Sequence, residues 1–141
     1  MENSPLDPLT IFHRMFDNDP FSHWMGMELV AIAEGTCTLK MKVRGEMLNG
    51  FGVAHGGITF SLADSAFAFA CNSRGRHTVS IHCTVEHAAP VREGDELVAT
   101  ATEDNLGNQI SNYAITVRKQ DGTAVAFFRG VAYRKREEWK D

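Results

Sequence analysis

The sequence predicts an α+β protein in which one long buried helix is wrapped by a curved antiparallel sheet of about six strands, with a short helix at the N-terminus. Three observations predict it. From Gly57 to Ser73 the chain is small, apolar or aromatic almost throughout, and Asp64 is its only charged side chain. The segments on either side alternate apolar and polar residues with period two, two of them before this stretch and four after it. Glycine-rich turn signals separate those segments.

The central stretch is a helix by length and pattern. At about 17 residues it is long for a strand, and a helix apolar on nearly every side is a buried one. It is near the lower limit for a membrane span. The carboxylate of Asp64 at its centre, with Ser61 and Ser65 beside it, argues for enclosure by protein rather than lipid.

Taken in order, Asp7-Pro8 reads as a helix start, with Asp as cap and Pro at the first helical position. Leu9, Phe12 and Phe16 continue it as an apolar stripe, and Pro20 is expected to end it. This helix, within residues 1–20, should lie on the main fold or against a neighbouring subunit. Phe21 to Met27 leads into a strand at Glu28 to Ala33. Glu34-Gly35 turns the chain into a second strand, where Cys37, Leu39, Met41 and Val43 share one face. A loop from Gly45 through Asn49-Gly50 and Gly52 precedes the long helix, which Arg74-Gly75-Arg76 ends. Val79, Ile81, Cys83 and Val85 then alternate with Ser80, His82, Thr84 and Glu86. Strands follow at Leu97 to Glu103, Gln109 to Lys119 and Thr123 to Tyr133, the last two joined by Asp121-Gly122, a hairpin signal. The charged tail, 134–141, is expected to be solvated or frayed. A sheet carrying one apolar helix has open edges and leaves part of the helix bare, which pairing with a second copy would cover.

Composition narrows the class. A chain of 141 residues is one domain by default, and its 43% hydrophobic content suits a globular protein. A net charge of −4 argues against nucleic acid as the main partner. Cys37, Cys71 and Cys83 form no paired framework, which fits a reducing cytoplasm. MENSPLDPLT has neither a basic leader nor an apolar run, so no signal peptide or membrane segment is expected. His77, His82 and His87 do not converge along a strand, and no metal is expected. Cys71, late in an apolar helix, reads as a packed thiol.

The chemistry centres on Asp64. A buried carboxylate must be paired, hydrogen-bonded or neutralised by a raised pKa. Upstream, His55-Gly56-Gly57 opens the helix, where free backbone N–H groups favour negative charge. A carbonyl oxygen held there, with a carboxylate or water at its carbon, has the logic of an oxyanion hole beside a base or nucleophile. The opposing readings are a structural carboxylate for Asp64, steric need for Gly56-Gly57, an ordinary turn for Asn49-Gly50 and a structural loop histidine for His55.

The strand order, together with Met47-Leu48-Asn49-Gly50, His55-Gly56-Gly57, Phe60-Ser61-Leu62-Ala63-Asp64 and Ala70-Cys71-Asn72-Ser73, resembles the PaaI-type branch of hotdog-fold acyl-CoA thioesterases. Within that branch the motifs look like its phenylacetate-degradation thioesterases. The resemblance covers about residues 24 to 136. It implies that Asp64 acts as general base or nucleophile at a thioester, that the Gly56 amide holds the carbonyl oxygen, and that Asn49 positions water or thioester. His55 would sit at the pocket mouth, and Gly57, Ser65 and Phe60 would border the substrate. It implies no cofactor beyond the CoA of the substrate. It also implies a site shared between two protomers, Asp64 of one facing Asn49 and Gly56 of the other, in a dimer that doubles to a homotetramer. Ser65 stands where family members often carry Thr, and His87-Ala88-Ala89 and Phe51-Gly52-Val53-Ala54 are individual to this chain.

The reaction so implied is hydrolysis of an aromatic acyl-CoA, of phenylacetyl or hydroxyphenylacetyl type, to acid and CoA. Phe60, Phe67 and Phe69 are compatible with an aromatic acyl group. Arg74, Arg76, Arg92, Arg129, Arg134 and Lys135 are candidates for the CoA phosphates. Hydrolysis of aliphatic acyl-CoA, a dehydratase and a non-catalytic acyl-CoA binder are the alternatives. A dehydratase would rest on a His paired with a distant acid, and a binder would not need Asp64.

Overall fold

Two Asp-Pro steps, not one, shape the start of the chain. The computed structural model describes residues 5–141; Met1 to Ser4, part of the stretch read above for a leader, lie outside the described residues. Asp7 caps α1 (Pro8–Phe16), its carboxylate accepting from the Thr10 N–H at 2.9 Å. α1 is the helix expected within residues 1–20, but a second helix stands where the chain was expected only to lead into a strand. Asp19 caps this second helix, α2 (Pro20–Trp24), by accepting from the Ser22 N–H at 2.9 Å. Pro20 has no N–H to extend α1, but its fixed φ suits the first position of a new helix.

The strands are β1 (Glu28–Ala33), β2 (Thr36–Lys42), β3 (Arg76–His87), β4 (Glu96–Leu106), β5 (Ile110–Lys119) and β6 (Ala124–Glu138), and the long helix is α3 (Gly56–Asn72). They form one sheet in the order β1-β2-β4-β5-β6-β3, antiparallel at every pairing. The chain thus leaves β2, crosses the sheet as α3 and enters β3 at the far edge. Leu39, Ala99, Ile115 and Phe128 line the inner face and are at most 1% exposed. They pack with Leu62, Ala63, Ala66 and Phe67 of α3 in one core. Phe12 of α1 meets Phe69 of α3 edge-on, with centroids 4.7 Å apart, so α1 lies on the main fold.

The part of the helix expected to stay bare under a single sheet is one stripe, Gly57, Ser61, Asp64 and Ala68, spaced four, three and four, none of them buried. Two other expectations need correction. The alternation of β3 is broken. A bulge between Ser80 and His82 inserts one residue against β6, so Val79 and Ile81 are 43% and 56% exposed. Ser80 and Cys83, three apart, then meet on one face, with Oγ and Sγ 3.0 Å apart. The charged tail, in turn, is solvated but not frayed: it is ordered strand as far as Glu138, with Lys135 to Glu138 exposed. The guanidinium of Arg76 donates to the carbonyl oxygens of Arg134 and Lys135, and the Trp139 N–H donates to the Gly75 carbonyl. These residues lie beyond the end of α3, where pairing with β3 needs no apolar face.

Asn72 ties these parts together. Its amide donates to the Ala68 and Thr78 carbonyls, and its oxygen accepts from the Thr78 N–H and the Trp139 indole N–H, at 2.9–3.1 Å. It is 3% exposed, so truncation leaves buried partners unsatisfied. Asn72→Ala is expected to cost about 2–4 kcal/mol in urea denaturation; a loss below about 0.5 kcal/mol, within the range of neutral surface changes, would refute this assignment.

Candidate active site

Local chemistry sets the start of α3. His55 is its N-cap, and its Nδ1 accepts from the Gly57 N–H at 2.9 Å. That bond requires an unprotonated Nδ1, so a neutral ring carries its proton on Nε2. The Ile58 N–H donates to the His55 carbonyl at 2.9 Å. The Gly56 N–H is left with no hydrogen-bond partner among the described residues. Of the two glycine amides, Gly56's is open and Gly57's is committed. A Cβ at Gly56 would stand 3.2 Å from Nε2 of the exposed His87 ring, close enough that the ring would have to shift slightly.

A cleft flanks the helix terminus on each side. One, of about 410 Å³, runs between Val53, Gly56, Thr59, His87, Ala89 and Pro90. The other, of about 370 Å³, is walled by Phe21, Trp24, Met47, Leu48 and Ile58, with His55, Gly57 and Ser61 at its polar side. Ser61 precedes Asp64 by three residues on the same helix face.

Asp64 is partly buried, and its carboxylate has no hydrogen-bond or ion-pair partner among the described residues. Burial alone raises its pKa above the ordinary aspartate range. A capping or paired role for Asp64 therefore has no partner among the described residues. Burial also pushes the Cys71 thiol up to about 12, with Asp64 adding to the shift, which leaves Cys71 a protonated core thiol.

The remaining expected residues separate. Asn49 closes its loop: its side-chain oxygen accepts from the Phe51 N–H at 2.9 Å, and its backbone N–H donates to the Val53 carbonyl at 2.8 Å. Its side-chain amide donors have no partner among the described residues. The Ser65 hydroxyl lies 3.1 Å from that of Ser22, which donates to Asp19 at 2.6 Å. Ser65 is therefore the donor of that pair, tying α3 to α2. Phe60 rests on Phe128 with centroids 5.3 Å apart, while Phe67 and Phe69, at 1% and 2% exposed, fill the core. The exposed aromatics lining the second cleft are Phe21 and Trp24, which were not expected at the site. The signal was present, since Asp19-Pro20 marks the helix that carries them.

Among the cation candidates, Arg74 is held by Glu103 and Glu34, Arg129 by Asp104, and Arg134 donates to the Gly107 carbonyl. Arg76 is spent on the tail. Arg92 and Lys135 have no ion pair among the described residues, and Arg92 follows Val91 at the edge of the first cleft. His77 stacks on Trp139 while His87 faces Gly56, so the histidines stand apart. No described helix is long and apolar enough to cross a membrane.

The pattern of the thioesterase superfamily matches residues 51–126, more than half of the chain and all of α3. The chain belongs to the thioesterase superfamily. It is 41% identical over 122 residues to the acyl-coenzyme A thioesterase PaaI of Escherichia coli, covering 86% of this chain and 87% of that one. It superposes on the E. coli PaaI protein from the phenylacetic acid degradation operon with a TM-score of 0.91, at 38% identity, over 93% of this chain and 95% of that one. It superposes on the TT0310 protein of Thermus thermophilus with a TM-score of 0.81, at 36% identity, over 84% and 99%. The hotdog fold and the PaaI-type resemblance read from the motifs both hold. This thioesterase is a thioester hydrolase, and its family match spans the free Gly56 amide and Asp64.

Proposed function

We propose that this thioesterase hydrolyses aromatic acyl-CoA, of phenylacetyl or hydroxyphenylacetyl type, to the free acid and CoA. The observation that carries the mechanism is a pair of groups on α3 with no partner among the described residues, the N–H of Gly56 and the carboxylate of Asp64. The amide is a fixed donor for a carbonyl oxygen that becomes an oxyanion, and the carboxylate activates water or attacks the carbonyl carbon directly. The relatives support the substrate class: one is named an acyl-CoA thioesterase, and its operon degrades phenylacetic acid.

The two groups do not serve one substrate within one chain. Eight residues of helix separate Gly56 from Asp64, about 12 Å along the axis. A base must stand within hydrogen-bond reach of its water, itself about 3 Å from the carbon. A second copy set antiparallel would bring its Asp64 to this Gly56 and Asn49. The uncovered stripe of α3 and the exposed edge of β3, with Val79 and Ile81, supply a surface for it. The working unit is then a dimer, doubling to a tetramer. Asn49 would offer its free amide donors to the water or thioester, and His55 its Nε2–H at the cleft.

Thiol release from a panel of acyl-CoAs tests this, aromatic against short and medium aliphatic, with Asp64→Ala as control. Preference for phenylacetyl-type substrates, lost in the variant, is expected. Aliphatic preference would keep the thioesterase and discard the aromatic role. CoA binding without release from any substrate would leave a binder.

A further inference from the structure

We infer that the cleft walled by Phe21 and Trp24 is the subsite for the acyl group, and that these two α2 residues select aromatic acyl chains; this rests on the thioesterase reading above. A thioester has two arms; the open Gly56 amide lines one cleft, and its chain neighbours His55 and Gly57 line the other. A carbonyl held on that amide sends one arm into each. The cleft beside Gly57 and Ser61 is the one built of large apolar groups, Phe21, Trp24, Met47, Leu48 and Ile58, and its charged lining residue, Glu46, is paired with Arg44. An apolar pocket with few polar groups suits a hydrocarbon ring, and the amide-bearing pantetheine arm is left the cleft by Thr59 and His87.

The aromatic wall is held in place before any ligand arrives. Arg44 donates to the Trp24 carbonyl at 2.7 Å, and its guanidinium lies 5.3 Å from the indole centroid. Glu46 fixes Arg44 in turn, through its Nε at 2.6 Å. The rings of Phe21 and Trp24 lie 6.2 Å apart and are tilted by 33°, and both residues remain about half exposed, at 51% and 52%. Two preset rings with free surface favour an offset or edge contact with a third ring.

The test is the ratio of kcat/KM for phenylacetyl-CoA over acetyl-CoA in Trp24→Ala, Phe21→Ala and Trp24→Phe. The alanine variants are expected to lower that ratio about tenfold, with the loss mainly in KM, and Trp24→Phe to recover part of it. A second readout does not need turnover. The chain has two tryptophans, and in a Trp139→Phe background Trp24 is the only indole. Titration with phenylacetate is then expected to quench its fluorescence saturably. An unchanged ratio without quenching overturns the subsite and leaves the thioesterase intact. A Trp24→Ala protein that falls to a smaller oligomer overturns it too, since the face would then be a subunit contact. If the unaltered enzyme releases no thiol from any acyl-CoA, the thioesterase reading fails, and quenching alone decides whether this cleft takes aromatic groups.

Discussion

Asp64→Asn is expected to lower kcat for the preferred acyl-CoA by about 10³-fold, the scale on which a positioned base or nucleophile contributes, without lowering Tm. The two readouts together separate catalysis from structure. Asn keeps the size of Asp and removes its charge. A structural carboxylate would lose partners and stability, but Asp64 has none among the described residues to lose. The sign of its pH linkage agrees. Burial raises the folded pKa, so the folded chain holds the proton more tightly than the unfolded one. That contribution is fully present below the ordinary aspartate pKa and is lost as pH rises through the raised one. At neutral pH the charged form is a net burden on the fold, and Asn removes it. Activity has the opposite slope, because base or nucleophile must be ionised. The acid limb of kcat/KM in the unaltered enzyme is therefore expected above the ordinary aspartate range, and any activity left in Asp64→Asn should lack it. Full turnover in the variant, or a fall in Tm that accounts for the lost activity, would sink the assignment.

Gly130→Ala is expected to destabilise the protein by about 3 kcal/mol, or roughly 10 °C in Tm. A Cβ at Gly130 would stand 2.6–2.8 Å from three atoms of the Phe67 ring. That ring is 1% exposed and is wedged between Tyr113 and Phe128, with centroids 5.6 and 5.9 Å away. It cannot swing into solvent, so the helix or β6 must shift. Gly130 sits in the sheet between Tyr113 of β5 and Cys83 of β3, where a shift disturbs two pairings. Combining it with Phe67→Leu should recover at least about 1 kcal/mol relative to the sum of the single changes, because the two residues share one space. Additive single effects would show that the strain lies elsewhere.

These two residues differ in how legible they were. Asp64 stood out as the one charge in an apolar helix, because burying a charge without purpose is costly and pattern alone exposes it. Gly130 had no such signal. A glycine in a strand looks the same whether it faces water or an aromatic ring, and only the approach of α3 to β6 distinguishes them. Phe60, Phe67 and Phe69 show the converse. All three could border a substrate by composition, yet their positions around the helix send Phe67 and Phe69 into the core.

By itself the sequence determined the six strands, the long helix and the fold class. Two alternating segments, one near-chargeless helix and four more segments make a sheet wound on a helix, because period two and helical apolarity each have one way to be buried. It also determined the chemical pieces, His55-Gly56-Gly57 and Asp64. Tertiary structure decided what those pieces can reach. The bulge at Ile81 reversed which side chains of β3 face the helix, since one added residue inverts a period of two. The extension of β6 to Glu138 depended on Asn72, Arg76 and Trp139, which only the fold brings together. The Gly56 amide is open and the Gly57 amide closed because one histidine ring turned back on the helix. Placing Phe21 and Trp24, some thirty residues earlier in the chain, in one cleft with His55 and Gly57 was likewise an act of the fold. Local pattern records how a segment is buried. It does not record which distant segment buries it.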